Sequence, residues 1–254
     1  MRSLLAATKF LTSVPVPWSW TGGEAGGERA LSHSVPWFPV VGLAAGGVAG
    51  AVCLGLERIL PALPLSAALV AVMAGVSGGL HLDGLSDSAD GLLSSRPRER
   101  ALEIMKDSHV GAMGVIAIVM VVLAKFALLV SVPDDSRWWL VVLAVFAGRC
   151  SLPVTMMLLR YARSEGGLAT VFAASLRPAA RRWGTLAWTV VVALAAGYLI
   201  GGWVGLAACG AGLAAALLWT GYTRYRLGGY TGDTLGAGCE LVELVPLMVA
   251  VVWS

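Results

Sequence analysis

Asp83, Asp87 and Asp90 stand at i, i+4 and i+7 in the stretch GGLHLDGLSDSADGLLSSRPRERALEIMKDSHVGAMG, Gly78–Gly114. On a helix those positions fall within about 60° of one another. Three carboxylates on one stripe repel each other unless a cation joins them. All-oxygen donors of this kind suit a hard divalent ion such as Mg²⁺, often shared with a substrate phosphate. The alternative is a solvated acidic helix end. A second acidic group follows in RLGGYTGDTLGAGCELVELVPLMVAVVW, where Asp233 stands at the mouth of an apolar run and Glu240 and Glu243 lie inside it. The wheel angles of these three fall within about 80°. Carboxylates inside an apolar span mark either a ligand contact or an internal ion pair. The cations available for pairing are Lys125 and Arg149, each inside an apolar run of its own. Lys125 has a further option, snorkelling to the membrane interface.

The chain that must position these groups is 57% hydrophobic and 13% charged, with a mean hydropathy of +0.79. That is the composition of an integral membrane bundle and excludes an ordinary soluble domain. Repeated apolar runs of about 20 residues predict an all-α, polytopic fold of about seven transmembrane helices in a single domain, residues 1–254. The first six fall near Trp37–Leu56, Ala62–Leu82, Val110–Val132, Trp138–Leu159, Trp183–Ile200 and Trp203–Tyr222, and the seventh follows Asp233. In the first, Gly42, Gly46 and Gly50 leave a face for close helix approach. The second delivers the chain directly to Asp83, and Gly201–Gly202 turns the fifth into the sixth.

Residues 1–36 read as amphipathic and interfacial, with TGGEAGGER as a flexible loop. ERALEIMK predicts a short surface-lying helix with Ala101, Leu102 and Met105 on one side. The four cysteines lie inside apolar runs without metal-ligand spacing, so they are expected buried and unpaired. No cleavable signal peptide is read, because Lys9, Pro15 and Pro17 break the first apolar stretch. Lys and Arg are scattered between apolar runs, which excludes a nucleic-acid footprint.

Orientation follows from the same residues. Of the 18 Lys and Arg, Lys125 and Arg149 lie inside spans, and fourteen of the remaining sixteen fall on one side of a seven-span topology. Only Arg58 and Arg137 fall on the other. Cytoplasmic loops carry the excess positive charge, so the N-terminus is expected in the cytoplasm. This places the Asp83 group and Asp233 at the same, cytoplasmic face.

HLDGLSDSADG, followed at this spacing by ERALEIMKDSHVGAMG, resembles the signature of the adenosylcobinamide-GDP ribazoletransferase (cobalamin synthase) family. KFLTSVPVP and VPWFPVVG resemble the start of its members, and RLGGYTGD with the trailing Glu pair resembles their C-terminal motif. The resemblance spans nearly the full length. It implies a Mg²⁺-dependent enzyme of the bacterial cytoplasmic membrane, embedded in lipid, with its site at the cytoplasmic face. The implied reaction joins adenosylcobinamide-GDP to α-ribazole or its 5′-phosphate and releases GMP. Lys106 and Asp107 of IMKDS match the family motif and become catalytic candidates beside Asp83, Asp87 and Asp90. Asp233 joins the three aspartates as a candidate metal ligand. Arg149, Arg226, Asp233, Glu240, Glu243 and His81 are candidate substrate contacts. His81 lies about 160° from Asp83 on a straight helix, so it reaches the site only if the helix breaks near Gly84. Arg96, Arg98 and Arg100 either hold outer phosphates or merely set topology. Two other classes remain open: an intramembrane prenyltransferase, whose D-x-x-x-D pattern DGLSD imitates, and a transporter using Glu240, Glu243, Arg149 and Lys125. A homo-oligomer also stays open.

Overall fold

A long helix with no face left for lipid forms the axis of the bundle. The computed structural model describes residues 1–21, 23–163, 171–172 and 178–253. Among them are eleven α-helices and no β-strand, only a single parallel bridge between Tyr161 and Tyr230. In order these are α1 (Arg2–Leu11), α2 (Trp18–Thr21), α3 (Gly23–Ser32), α4 (Phe38–Leu56), α5 (Ala62–Val76), α6 (Leu80–Leu92), α7 (Arg98–Ile104), α8 (Ala112–Ser131), α9 (Asp134–Leu158), α10 (Ala179–Leu227) and α11 (Gly232–Trp253). The axis is α9, in which every residue from Leu140 to Met157 is buried. Helices α4, α10 and α11 pack directly on it, while α6 and α8 pack on α11.

The glycine face of α4 does what its spacing predicts. A Cβ at Gly46 would stand 2.5 Å from the Val142 carbonyl oxygen, and one at Gly42 would stand 2.8 Å from Arg149 Cβ. Glycine therefore brings the α4 backbone onto α9, in a medium where close packing rather than water drives helix association. The α8–α9 turn is fixed by Arg137, which is buried although charged. Its guanidinium donates to the carbonyls of Leu129 and Val132 and pairs with Asp134 at 2.8 Å, satisfying orphan acceptors at the end of α8.

Five of these helices are long and apolar enough to cross a membrane, or six if the bent pair α5–α6 counts as one span. The 49-residue α10 is a hairpin in substance. Its backbone leaves the helical region at Gly201 and at Gly202 (φ 59°, ψ −141°), and Gly197 meets Gly205 across the break. A straight helix would hold those two residues about 12 Å apart, so the chain doubles back at the expected Gly pair.

Two expectations are corrected. The second span is not continuous to Leu82: α5 stops at Val76, and after a Ser77–Gly79 turn α6 leaves at 87° to it. Gly78 (φ 61°) and Gly79 (φ 78°) occupy the left-handed region that only glycine adopts without strain, so the turn has the residues it needs. The Ser13 amide donates to the Val76 carbonyl at 2.8 Å and ties the end of α1 to this corner. TGGEAGGER is helical from Gly23 onward, because the packing of α3 on α1 and α2 overrides the low helix propensity of its glycines. The expected surface helix is α7, with Ala101 and Met105 buried and Leu102 packed beside them. All four cysteines are buried and free.

Candidate functional site

The 87° turn makes α6 a separate platform, packed on α11 and α8. Leu85, Ala89 and Leu92 hold its apolar face in the core, while Asp83 is exposed and Asp87 and Asp90 are half-buried. Asp83 sits in the first turn, where the helix dipole favours a carboxylate. Asp233 reaches this platform from α11 because Gly84 has no side chain. A Cβ there would stand 2.7 Å from the Asp233 carbonyl oxygen, and Gly236 packs in the same way on His81 and Gly84. The predicted convergence of Asp233 with the α6 aspartates is thus a glycine-lined helix contact. Asp87 lies in the electrostatic field of Asp83, Asp233 and Asp90, offset by that of Arg163.

The four carboxylates are not equivalent. Asp90 accepts from the backbone amides of Gly111 (2.8 Å) and Gly114 (2.9 Å), so it anchors the entry to α8. Asp233 Oδ2 accepts from Arg163 at 2.8 Å and from the Thr231 hydroxyl at 3.3 Å. Among the described residues, the side chains of Asp83 and Asp87 make no hydrogen bond or ion pair. Nor do three or more His, Cys, Asp or Glu side chains there stand close enough to hold a metal ion unaided. Mg²⁺ keeps several waters and takes one or two carboxylates plus a substrate phosphate, rather than an all-protein cage. The donor chemistry fits that habit, with Asp83 and Asp87 as the carboxylates left open.

Lys106 and Asp107 follow α7 and are exposed. Asp107 accepts from the His109 amide (3.0 Å) and contacts the His109 ring at 2.7 Å, and those hydrogen bonds hold its carboxyl below the usual carboxylate range. Arg226 points elsewhere: its guanidinium donates to the carbonyls of Leu92 and Ser94, both at 2.7 Å, and so closes the C-terminal end of α6. Sequence reasoning passed over Arg163. It was one of five cations in a polar loop, and nothing local to it reveals that it meets Asp233. Arg177, of the same loop, lies outside the described residues.

Glu240, Glu243, Arg149 and Lys125 form one buried group away from the aspartates. Lys125 Nζ stands 2.6 Å from Glu240 and 2.5 Å from Glu243, and Arg149 pairs with the other oxygen of Glu243. No side chain of the four is more than 4% exposed. Two positive and two negative charges cancel, the form in which charge is tolerated within a bundle. The geometry is that of the internal ion pair, the alternative to ligand contact. His81 is buried in the field of Arg149 and Lys125, with no partner for either ring nitrogen among the described residues. The chain breaks at Ser77–Gly79 and not near Gly84, so His81 faces α11 and stays on the opposite side of α6 from Asp83.

A family model described as Cobalamin-5-phosphate synthase matches residues 3–251. Three similar proteins are named adenosylcobinamide-GDP ribazoletransferase. The one from Roseiflexus sp. (strain RS-1) is 40% identical over 95% of this chain and 86% of its own length. That of Desulforamulus reducens is 37% identical over 95% and 92%, and that of Brevibacillus brevis is 35% identical over 99% and 98%. No solved structure matches. A match over nearly every described helix, α6 and α11 included, leaves a single conclusion: the chain belongs to the cobalamin-5-phosphate synthase family.

Proposed function

We propose that this protein is an adenosylcobinamide-GDP ribazoletransferase, a membrane enzyme of cobalamin biosynthesis. A hydroxyl of α-ribazole or α-ribazole 5′-phosphate attacks the phosphorus that carries the cobinamide. The bond to the bridging oxygen breaks, GMP departs with that oxygen, and the hydroxyl proton passes to solvent. The products are adenosylcobalamin, or its 5′-phosphate, and GMP. The observation that carries this reading is the packing of Asp233 onto α6 at Gly84, which gathers acidic groups from both ends of the sequence at one site.

Asp83 and Asp87 are the residues proposed to hold Mg²⁺, with Asp233 and Asp90 adding negative charge behind them. When bound, that ion would neutralise phosphate oxygens and the leaving group, the main requirement of phosphoryl transfer. Asp90 keeps the Gly111–Gly114 corner in place and with it the loop bearing Lys106 and Asp107. Holding two substrates in register contributes about 7–11 kcal/mol to such a bimolecular step. The apolar helices α8 and α11 packed on α6 limit the access of competing water. The lysine and arginine distribution supports seven crossings of the bacterial cytoplasmic membrane, with the site on the cytoplasmic side.

The test is incubation of the lipid-reconstituted protein with adenosylcobinamide-GDP, α-ribazole and Mg²⁺. GMP should appear in proportion to the corrinoid product and require both substrates, and EDTA should stop it. Release of pyrophosphate instead would assign prenyl transfer. Absence of turnover in a folded sample would remove the enzymatic reading.

A further inference from the structure

Between α1, α4 and α5 runs an apolar groove of about 620 Å³, within the range of about 300–1,000 Å³ usual for ligand sites. Leu4 and Leu5 of α1, Val41 and Val48 of α4, and Val72 and Val76 of α5 supply its walls. No charged side chain among the described residues lines it. Thr8, Thr12 and Ser13 bring hydroxyls to the lining, but each donates to a backbone carbonyl, those of Leu4 (3.1 Å), Thr8 (2.7 Å) and Gly75 (3.0 Å). With those protons engaged, a polar fragment finds no donor there, whereas a hydrocarbon chain needs none.

The groove has the depth of one leaflet. Its wall on α4 runs from Val40 to Val48, a rise of about 12 Å at 1.5 Å per residue, and the hydrocarbon core of a bilayer is about 30 Å thick. Val48 lies next to the midpoint of the 19-residue α4 and is 58% exposed, so the deep end opens to the surroundings of the bundle. The shallow end lies at α1, which packs on α4 through Ala7 and Leu11. Ser13 ties this helix to α5, its amide donating to the Val76 carbonyl and its hydroxyl to that of Gly75. Helix α1 thus has two apolar faces, one on the core and one, with Leu4 and Leu5, on the groove, as suits a helix at the membrane interface. Arg2 is exposed and stands one turn before Leu5, which puts a guanidinium at the level of the headgroups. On the orientation proposed above this is the cytoplasmic leaflet, which carries the anionic lipids.

We propose that this groove holds one acyl chain of an anionic phospholipid, with Arg2 on its phosphate, as a bound component of the fold. The chain fills the space between α4 and α5 beside α1 and braces the Ser77–Gly79 corner from which α6 leaves. Occupancy therefore steadies the aspartate platform. Such binding needs a bilayer around α4 and α5 and does not depend on which reaction the aspartates support.

The test is native mass spectrometry of the delipidated protein in detergent, titrated with phosphatidylglycerol or phosphatidylcholine of identical chains, alongside the unfolding temperature. One phosphatidylglycerol should bind per chain ahead of weaker surface lipid, and should raise the unfolding temperature. It should bind about fivefold more tightly than phosphatidylcholine, the increment of one basic residue among the headgroups, and Arg2→Gln should remove that preference. Ala44→Phe puts a ring into the groove from an exposed position of α4. It should weaken the first binding step about tenfold or more, as the loss of two buried methylenes would. Ala51→Phe, exposed on the same helix but outside the groove, should bind as wild type. Equal phospholipid binding by wild type and Ala44→Phe overturns the proposal, as does equal affinity for the two headgroups. If Ala44→Phe does not fold, Val48→Trp takes its place under the same criterion. Displacement of the lipid by α-ribazole would give the groove to the apolar base of a substrate. Dimers that form without lipid and are lost in Ala44→Phe would give it to a second copy. Either result overturns the assignment to a phospholipid.

Discussion

Replacing Lys125 by Met should destabilise the protein severely, and a second charge-removing change should restore most of the loss. Lys125 meets two carboxylates at 2.6 and 2.5 Å, with every partner at most 4% exposed. In Lys125→Met the guanidinium of Arg149 alone faces Glu240 and Glu243, leaving one uncompensated negative charge in the bundle. Breaking a buried ion pair from one side costs about 3–5 kcal/mol. At about 1.4 kcal/mol per factor of ten, that lowers the folded-to-unfolded ratio by about two to three and a half orders of magnitude. Glu240→Gln should cost a similar amount with the opposite sign of stranded charge. The double variant Lys125→Met/Glu240→Gln is neutral again, with Arg149 and Glu243 still paired, so its stability should lie above that of either single variant. The assay is tryptophan-monitored unfolding in a fixed lipid–detergent mixture, analysed as a double-mutant cycle. Purely additive losses, or a single variant as stable as wild type, would refute the buried tetrad as the source of the effect.

Gly84→Ala should impair both assembly and turnover, since its Cβ would stand 2.7 Å from backbone of Asp233, whereas Gly47→Ala, with nothing within 4 Å, should be neutral or slightly stabilising. The readouts are unfolding temperature and GMP release. Asp83→Asn and Asp87→Asn should abolish Mg²⁺-dependent GMP release at wild-type unfolding temperature. Asp90→Asn should instead also lower that temperature, because an amide can accept from only one side and leaves Gly111 or Gly114 unpaired at about 1–3 kcal/mol. Gly202→Ala should cost about 1–3 kcal/mol from backbone strain alone, its Cβ meeting nothing, and the same unfolding assay reads it. Cysteines introduced at positions 95, 108 and 225, all exposed, should react with an impermeant maleimide only from the cytoplasmic side. Labelling of 108 and 225 from opposite sides would separate the two halves of the site.

Much of this arrangement was legible in the residues. The four-residue glycine spacing in α4 and the Gly201–Gly202 pair each encode a local geometry, and each produced it. The shared face of Asp83, Asp87 and Asp90 was also readable, because helical periodicity fixes direction from sequence alone. What Asp90 does with its carboxylate was not, since its partners at Gly111 and Gly114 arrive from beyond an intervening helix. Hydropathy averaged over a window hid the α5–α6 corner, although Gly78–Gly79 marked it. For Glu240 and Glu243 the composition showed that a partner was needed without saying which. Only the packing of α8 and α9 against α11 resolves that choice in favour of Lys125 and Arg149.

The tetrad also sets a timetable for biogenesis. Glu243 lies 94 residues after Arg149 and 118 after Lys125, so both cations enter the bilayer before their counter-charges have been translated. At about 5–20 residues per second, a guanidinium near the middle of α9 waits roughly 5–20 s for α11. Throughout that interval the nascent chain holds unpaired positive charge at a depth where it costs several kcal/mol. A chain stalled before α11 therefore carries two unneutralised cations in α8 and α9, whereas one released after Glu243 carries a balanced group.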